Sequence, residues 1–340
     1  MTEPARRTLL LAAVGLGLAG CTPDGEREPE ATDTSAEIPS PTPTCEPSRP
    51  SQLSPTPPLP SASPWPLART EVEPQAKQSA VRLLEALGTW PRGRRGPDPA
   101  LERSVEVRGV PTDGAARLVR QARPLLDAGP EATARVIAAQ YGGLVGARAS
   151  VLVPLRQWAR AADGAVDTGG ATVDVRMTRS PAEGWQVTDL HPSRPARALA
   201  RPGDLIERVV GEGNRIHLPP AAEADIRAGH LHPKPLRALL TLAERYEIDV
   251  SVVHTGHPRN VFGTNRLSDH TRMRAFDVWA VNGRAVIDPA TPDTLIDGFM
   301  RAAARAGAYN VGGPRLLSGG GFFSDRVHRD HLHIAFDSDR

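Results

Sequence analysis

Proline decides where this chain can fold. Residues 22–68 hold 13 of its 34 prolines, interleaved with Thr, Ser and Glu, and no apolar period survives among them. Such a stretch cannot bury enough surface to offset the entropy of ordering it. It is expected to be a disordered spacer, extended at about 3.1 Å per residue where polyproline II holds, with a reach on the order of 100 Å. Folding is left to the rest of the 340 residues, enough for two ordinary domains. A net charge of +2 and 4% aromatic residues exclude a nucleic-acid binder with a basic face or a base-stacking platform. Two cysteines exclude a disulfide scaffold and a thiolate-rich metal site.

Ahead of the spacer, Arg6 and Arg7 precede a short apolar run from Thr8 to Ala19. The run falls short of the roughly 20 residues that span a bilayer, so residues 1–21 read as an export signal. Its end, Leu18-Ala19-Gly20-Cys21, resembles the lipobox of bacterial lipoproteins, which implies lipidation of Cys21 and attachment to the outer face of the cell membrane. The Arg-Arg pair resembles a twin-arginine signal, the general export route being the alternative. Cys45 then remains as the only thiol, read as an inert spacer cysteine.

Residues 69–198 read as an α+β module. Gln75–Leu87 and Thr112–Leu126 carry a helical apolar period. Strands are expected over Thr133–Gln140, Ala149–Ala159, Thr172–Arg179 and Trp185–Leu190. Helices followed by a run of strands resemble, in element order, the nuclear transport factor 2-like domains. No catalytic grouping stands out here, which suggests a structural or wall-binding role.

Residues 199–340 form a second α+β unit. Helices are expected over Ala221–Ala228, Lys234–Tyr246 and Thr294–Ala306. Strands are expected over Ile248–Val253, Ala275–Val281 and His331–Phe336, with a hairpin turn at Asn282-Gly283, giving a mostly antiparallel sheet. Nine of the ten histidines lie between His217 and His333. Residues two apart on a strand share a face, so His331 and His333 point to one site, whereas Asp330 faces away if the strand is regular there. His270, Asp277 and His333 offer three ligands with a fourth position open, the arrangement of a catalytic zinc.

The pattern Ser268-x-His270, then Ala275-x-Asp277, and later a His on a C-terminal strand resembles the zinc signature of the D-alanyl-D-alanine metallopeptidases, within the lysostaphin, D-Ala-D-Ala peptidase and sonic hedgehog group. The resemblance covers about residues 200–340. It implies Zn²⁺ on His270, Asp277 and His333. Met273 stands where the family has glycine. The general base is either His331 or Asp330, positions that different members use, with His331 favoured by strand direction. A Ser-Gly-Tyr-Arg-like segment of the family corresponds to Thr255–Arg259, with His257 in place of Tyr and the arginine one position late, which makes Arg259 a candidate for the oxyanion or substrate carboxylate. His254 reads as a core histidine, His191, His217, His230 and His232 as surface residues, and His328 as unassigned. The resemblance implies a lipid-anchored extracytoplasmic zinc metallopeptidase that hydrolyses peptidoglycan stem peptides, as carboxypeptidase or endopeptidase. The alternative is a non-catalytic wall-binding lipoprotein that retains the peptidase fold.

Overall fold

The computed structural model describes residues 58–337. The export signal, Cys21, Cys45 and most of the Pro-rich spacer lie outside the described residues. Among the described residues no helix is long and apolar enough to cross a membrane.

Helix α1 (Pro74–Gly88) starts on a proline, which has no N–H to lose in a first turn. Its Ala80, Val81, Leu83, Leu84 and Leu87 are buried, and so, on the same side, is Lys77. Helix α2 (Pro97–Val105) was not expected, because its buried stripe is only Ala100 and Ser104. The helix expected over Thr112–Leu126 is divided at Ala122 into α3 (Thr112–Gln121) and α4 (Arg123–Leu126). Pro124 supplies no N–H to continue the ladder, so the first helix ends and a short one restarts with the proline in its first turn.

These helices cover an antiparallel five-stranded sheet of β1 (Glu131–Val136), β2 (Gln140–Val145), β3 (Arg148–Arg160), β4 (Val166–Ser180) and β5 (Gly184–Pro192). Strand β3, 13 residues long, pairs its first half with β2 and its second half with β1. The strand expected over Thr133–Gln140 is therefore two strands. The chain leaves β1 after Val136 and re-enters the sheet at Gln140.

A second core follows. It comprises α5 (Asp204–Gly211), β6 (Ile216–His217), α6 (Pro220–Arg227), α7 (Pro233–Ala243), β7 (Ile248–Val252), β8 (Ala275–Val281), β9 (Arg284–Ala285), α8 (Asp293–Arg305), β10 (Asn310–Gly312), β11 (Phe322–Phe323) and β12 (Leu332–Ala335). The sheet runs β11-β10-β12-β8-β7-β6, with β9 paired to β8. Its pairs are antiparallel except β10–β11 and β6–β7. The molecule is thus α+β, with a mostly antiparallel second sheet. The β8–β9 hairpin turns on Asn282 and Gly283, whose φ values of 52° and 68° are those a two-residue turn demands.

Alternation decides what faces where. Phe276, Val278, Leu332 and Ile334 enter the second core. Asp277 and His333, which are register partners, point to the opposite face. The first module meets that face, where the Gln140 side chain bonds Asp277. The approach is close. A Cβ on Gly143 would lie 2.1 Å from Cβ of Phe262, and one on Gly256 would lie 2.6 Å from the Thr172 carbonyl oxygen.

Candidate metal centre

Three side-chain atoms converge where β8, β12 and the loop before β8 meet. His270 Nε2 is 3.1 Å from Asp277 Oδ1 and 3.2 Å from His333 Nδ1, and His333 Nδ1 is 3.0 Å from Asp277 Oδ1. The three residues expected from the sequence are thus together. The Ser268 hydroxyl accepts the His270 N–H at 3.2 Å and shapes the loop that carries the imidazole. Met273, which closes the turn back to β8, sits at φ 57°, the left-handed region that favours glycine.

Hydrogen bonding outside the cluster fixes its polarity. His270 Nδ1 donates to the Val253 carbonyl at 2.7 Å, so Nε2 presents a lone pair. The Gln140 amide donates to Asp277 Oδ2 at 2.6 Å, and the Ser251 hydroxyl donates to the Gln140 carbonyl oxygen. Asp277 Oδ1 is left for the cluster. An imidazole lone pair, a carboxylate oxygen and a second ring nitrogen within 3.2 Å of one another could hold a cation at their centre. Ligands at 2.0–2.1 Å from a tetrahedral Zn²⁺ stand about 3.4 Å apart, close to these separations. Burial pushes the His270 imidazole down, but the Asp277 carboxylate outweighs it and holds the group above its ordinary value. Burial likewise pushes Asp277 up, and the flanking His270 and His331 outweigh it and hold the carboxyl well below the usual range.

His257, His270 and Asp277 also lie within reach of one ion. His257 stacks on His270 with ring centroids 4.1 Å apart, and its Nδ1 donates to the Pro258 carbonyl at 2.8 Å. Burial keeps its imidazole well below the ordinary value, hence neutral. We favour His333 as the third ligand because its Nδ1 points at both other ligand atoms, whereas His257 lies face to face with its neighbour.

A cavity of about 380 Å³ opens onto the cluster, walled by Tyr141, Phe262, Phe323 and His328, with Arg266 and Asp325 also lining it. His331 lines it as well, its Nε2 3.9 Å from Asp277 Oδ2. Asp330 does not line this cavity. Strand β12 begins only at Leu332, so Asp330 escapes the alternation of a regular strand. It turns to His331 instead. The His331 Nδ1–H donates to Asp330 Oδ1 at 2.6 Å, while Asp330 Oδ2 accepts from Lys77 Nζ at 2.7 Å and from the Tyr141 N–H at 3.2 Å. Arg259 is exposed and lies outside the lining. Among the described residues its backbone carbonyl accepts from the Ser268 N–H and the Thr271 hydroxyl. The segment Thr255–Arg259 meets the site through His257. His254 Nδ1 donates to the His270 carbonyl oxygen at 2.7 Å, as a satisfied inner histidine does. His191 is exposed, as expected.

The first module, in which no catalytic grouping stands out from the sequence, reaches the surroundings of the cluster. Lys77, Gln140 and Tyr141 all touch the residues around the cluster. Two signals pointed to this in the sequence. Lys77 falls on the apolar face of α1, and Gln140 falls at the inner end of an apolar stretch, where an uncompensated polar group is costly.

No family model matches the chain, and no curated protein matches it. Among solved structures, a nuclear transport factor 2-like superfamily protein from Salmonella enterica serovar Typhimurium is 18% identical over 24% of this chain and 57% of its own, with a TM-score of 0.20. The present chain thus spans a little over half of that protein's length. An IcmL-like type IV secretion system protein from Legionella pneumophila is 14% identical over 37% of this chain and 96% of its own, with a TM-score of 0.28.

Proposed function

We propose that the protein is a lipid-anchored, extracytoplasmic zinc peptidase acting on peptidoglycan stem peptides, as carboxypeptidase or endopeptidase. The observation that carries this reading is the convergence of His270 Nε2, Asp277 Oδ1 and His333 Nδ1 beside His331 at the floor of an open cavity. His270, Asp277 and His333 would hold the ion, which when bound supplies a Lewis acid for a carbonyl and a water of lowered pKa.

The chain's own residues do the rest. With its Nδ1–H given to Asp330, His331 presents the Nε2 lone pair on the cavity side and takes a proton there as general base. Asp330 holds that tautomer and steadies the imidazolium, the part a carboxylate plays behind a catalytic histidine. Gln140 keeps Asp277 from rotating by holding its second oxygen. The aromatic walls exclude water from a peptide end, in a volume within the range of small-ligand sites.

A second reading has one observation in its favour. Arg259, the arginine that the resemblance implies, does not line the cavity, and the arginine on its wall is Arg266, from outside that motif. That suits a wall-binding lipoprotein which keeps the fold without turnover.

The test is incubation of the detergent-purified full chain with pentapeptide muropeptides, read by mass. Loss of a terminal residue or cleavage of a cross-link, abolished by a chelator and restored by Zn²⁺, is expected. Unchanged masses with the zinc-loaded protein would sink the peptidase reading in favour of the binding one.

A further inference from the structure

Lys77 is the most unusual residue of the first module. It sits in α1 with no exposed surface, surrounded by the apolar core of that module. Its ammonium bridges two carboxylates, Glu71 and Asp330, which lie on either side of it and are themselves almost wholly buried. Glu71 has its other oxygen, Oε1, buried without a hydrogen bond among the described residues. A buried cation shared between two buried anions is a poor source of stability, because desolvation of each charge offsets most of the attraction. A leucine there would fill the core at lower cost. The arrangement makes sense through what lies beyond Asp330. Lys77 occupies one of its oxygens, the Tyr141 N–H shares that oxygen, and the other is left facing His331 Nδ1.

We propose that Lys77 is a positioning residue for the peptidase site, supplied by the first module. By anchoring Asp330 it fixes the tautomer and direction of the His331 imidazole. This rests on the peptidase reading for its consequence in turnover, and on geometry alone for its effect on His331. The first module is then a structural half of the active site, joined to it through Lys77–Asp330–His331 and Gln140–Asp277. Without the lysine, only the longer Tyr141 N–H bond holds Asp330 Oδ2, and the carboxylate loses its one charged anchor in a low-dielectric pocket. His331 then loses the single acceptor that keeps its proton on Nδ1.

The test uses the zinc-loaded full chain with ¹⁵N-labelled histidine. In the wild type, His331 is expected to show a protonated Nδ1 with a low-field, exchange-protected proton. In Lys77→Met, a near-isostere without charge, that proton signal is expected to be lost or displaced while zinc content and the His270 resonances stay as they were. Peptide turnover gives the second readout. The kcat of Lys77→Met is expected to fall about 10²-fold, within the range for general acid–base catalysis, with KM unchanged. Adding Lys77→Met to His331→Ala is expected to cause no further loss, since a residue acting only through another is silent once that other is gone. An unchanged His331 signal in folded Lys77→Met, or an equal loss in both backgrounds, would overturn the proposal. If wild-type protein turns over no peptide, the peptidase reading falls, and the His331 signal still decides the role of the lysine. Should Lys77→Met not accumulate, Glu71→Gln/Lys77→Met, which leaves one buried anion fewer, is read by the same criteria.

Discussion

At the scale of single residues, Met273 is held in a backbone conformation that a side chain resists. Its φ is 57°, and its N–H and C=O are both engaged, with the His270 carbonyl at 2.9 Å and the His232 N–H at 2.8 Å. The left-handed conformation costs an L-residue about 1–2 kcal/mol. Glycine removes that strain, yet gives back up to about 1 kcal/mol through the entropy of the unfolded chain. Met273→Gly is therefore expected to raise the urea midpoint by up to about 1 kcal/mol of stability, with an unchanged denaturant slope. A clear fall in midpoint would show that the Met273 side chain contributes packing that outweighs its backbone strain. The three ligand candidates were legible in the sequence because each sits in a short motif on one strand or its adjoining loop. Lys77 and Gln140 show in the sequence only as polar groups in apolar surroundings, and their partners do not show, because Asp330 and Asp277 are 253 and 137 residues away. Motif spacing carries no information over such separations. Arg259 misled for the opposite reason. A local segment resembles a motif, but it is His257 of that segment, not Arg259, that lines the cavity.

Among the elements, the helical and strand periods were read well where one face is apolar, as in α1, β3, β7 and β8. They failed where the stripe is narrow, as in α2, and where a strand is interrupted, as between β1 and β2. That interruption matters for the site. It lets β2 start at Gln140, so that consecutive residues Gln140 and Tyr141 deliver one side chain to Asp277 and one N–H to Asp330. Two positions later Gly143 allows the loop at Phe262 to close against β2. The Phe262 ring is held there under the Arg176 guanidinium, 5.3 Å from the ring centroid. Gly143→Ala is expected to destabilise by about 1–3 kcal/mol, the usual result of forcing carbon into a filled space. The same change in a Phe262→Gly background, where the obstructing carbons are gone, is expected to cost only a few tenths of a kcal/mol, beyond whatever Phe262→Gly costs alone. Equal effects in both backgrounds, measured by denaturant unfolding, would mean that Phe262 is not what Gly143 accommodates.

For the whole molecule, the sequence suggested two α+β modules in series, with chemistry confined to the second. Each module does build its own sheet and core, and those were readable from local periods. What local periods do not encode is how the modules meet. The polar face of β8 and β12, which carries Asp277 and His333, is closed by β2 and α1 of the first module. Buried Gln140–Asp277 and Lys77–Asp330 bonds cross that meeting. The proposed zinc ion, held by His270, Asp277 and His333, would lie beside this meeting. Metal analysis of the full chain, purified without chelator or added zinc and stripped of loose metal by gel filtration, tests it most directly. One Zn²⁺ per chain is predicted, with most of it absent from His270→Ala and from Asp277→Ala, because two ligands are too few for a tight site. A wild-type chain that carries no zinc, or variants that keep it in full, would contradict the account.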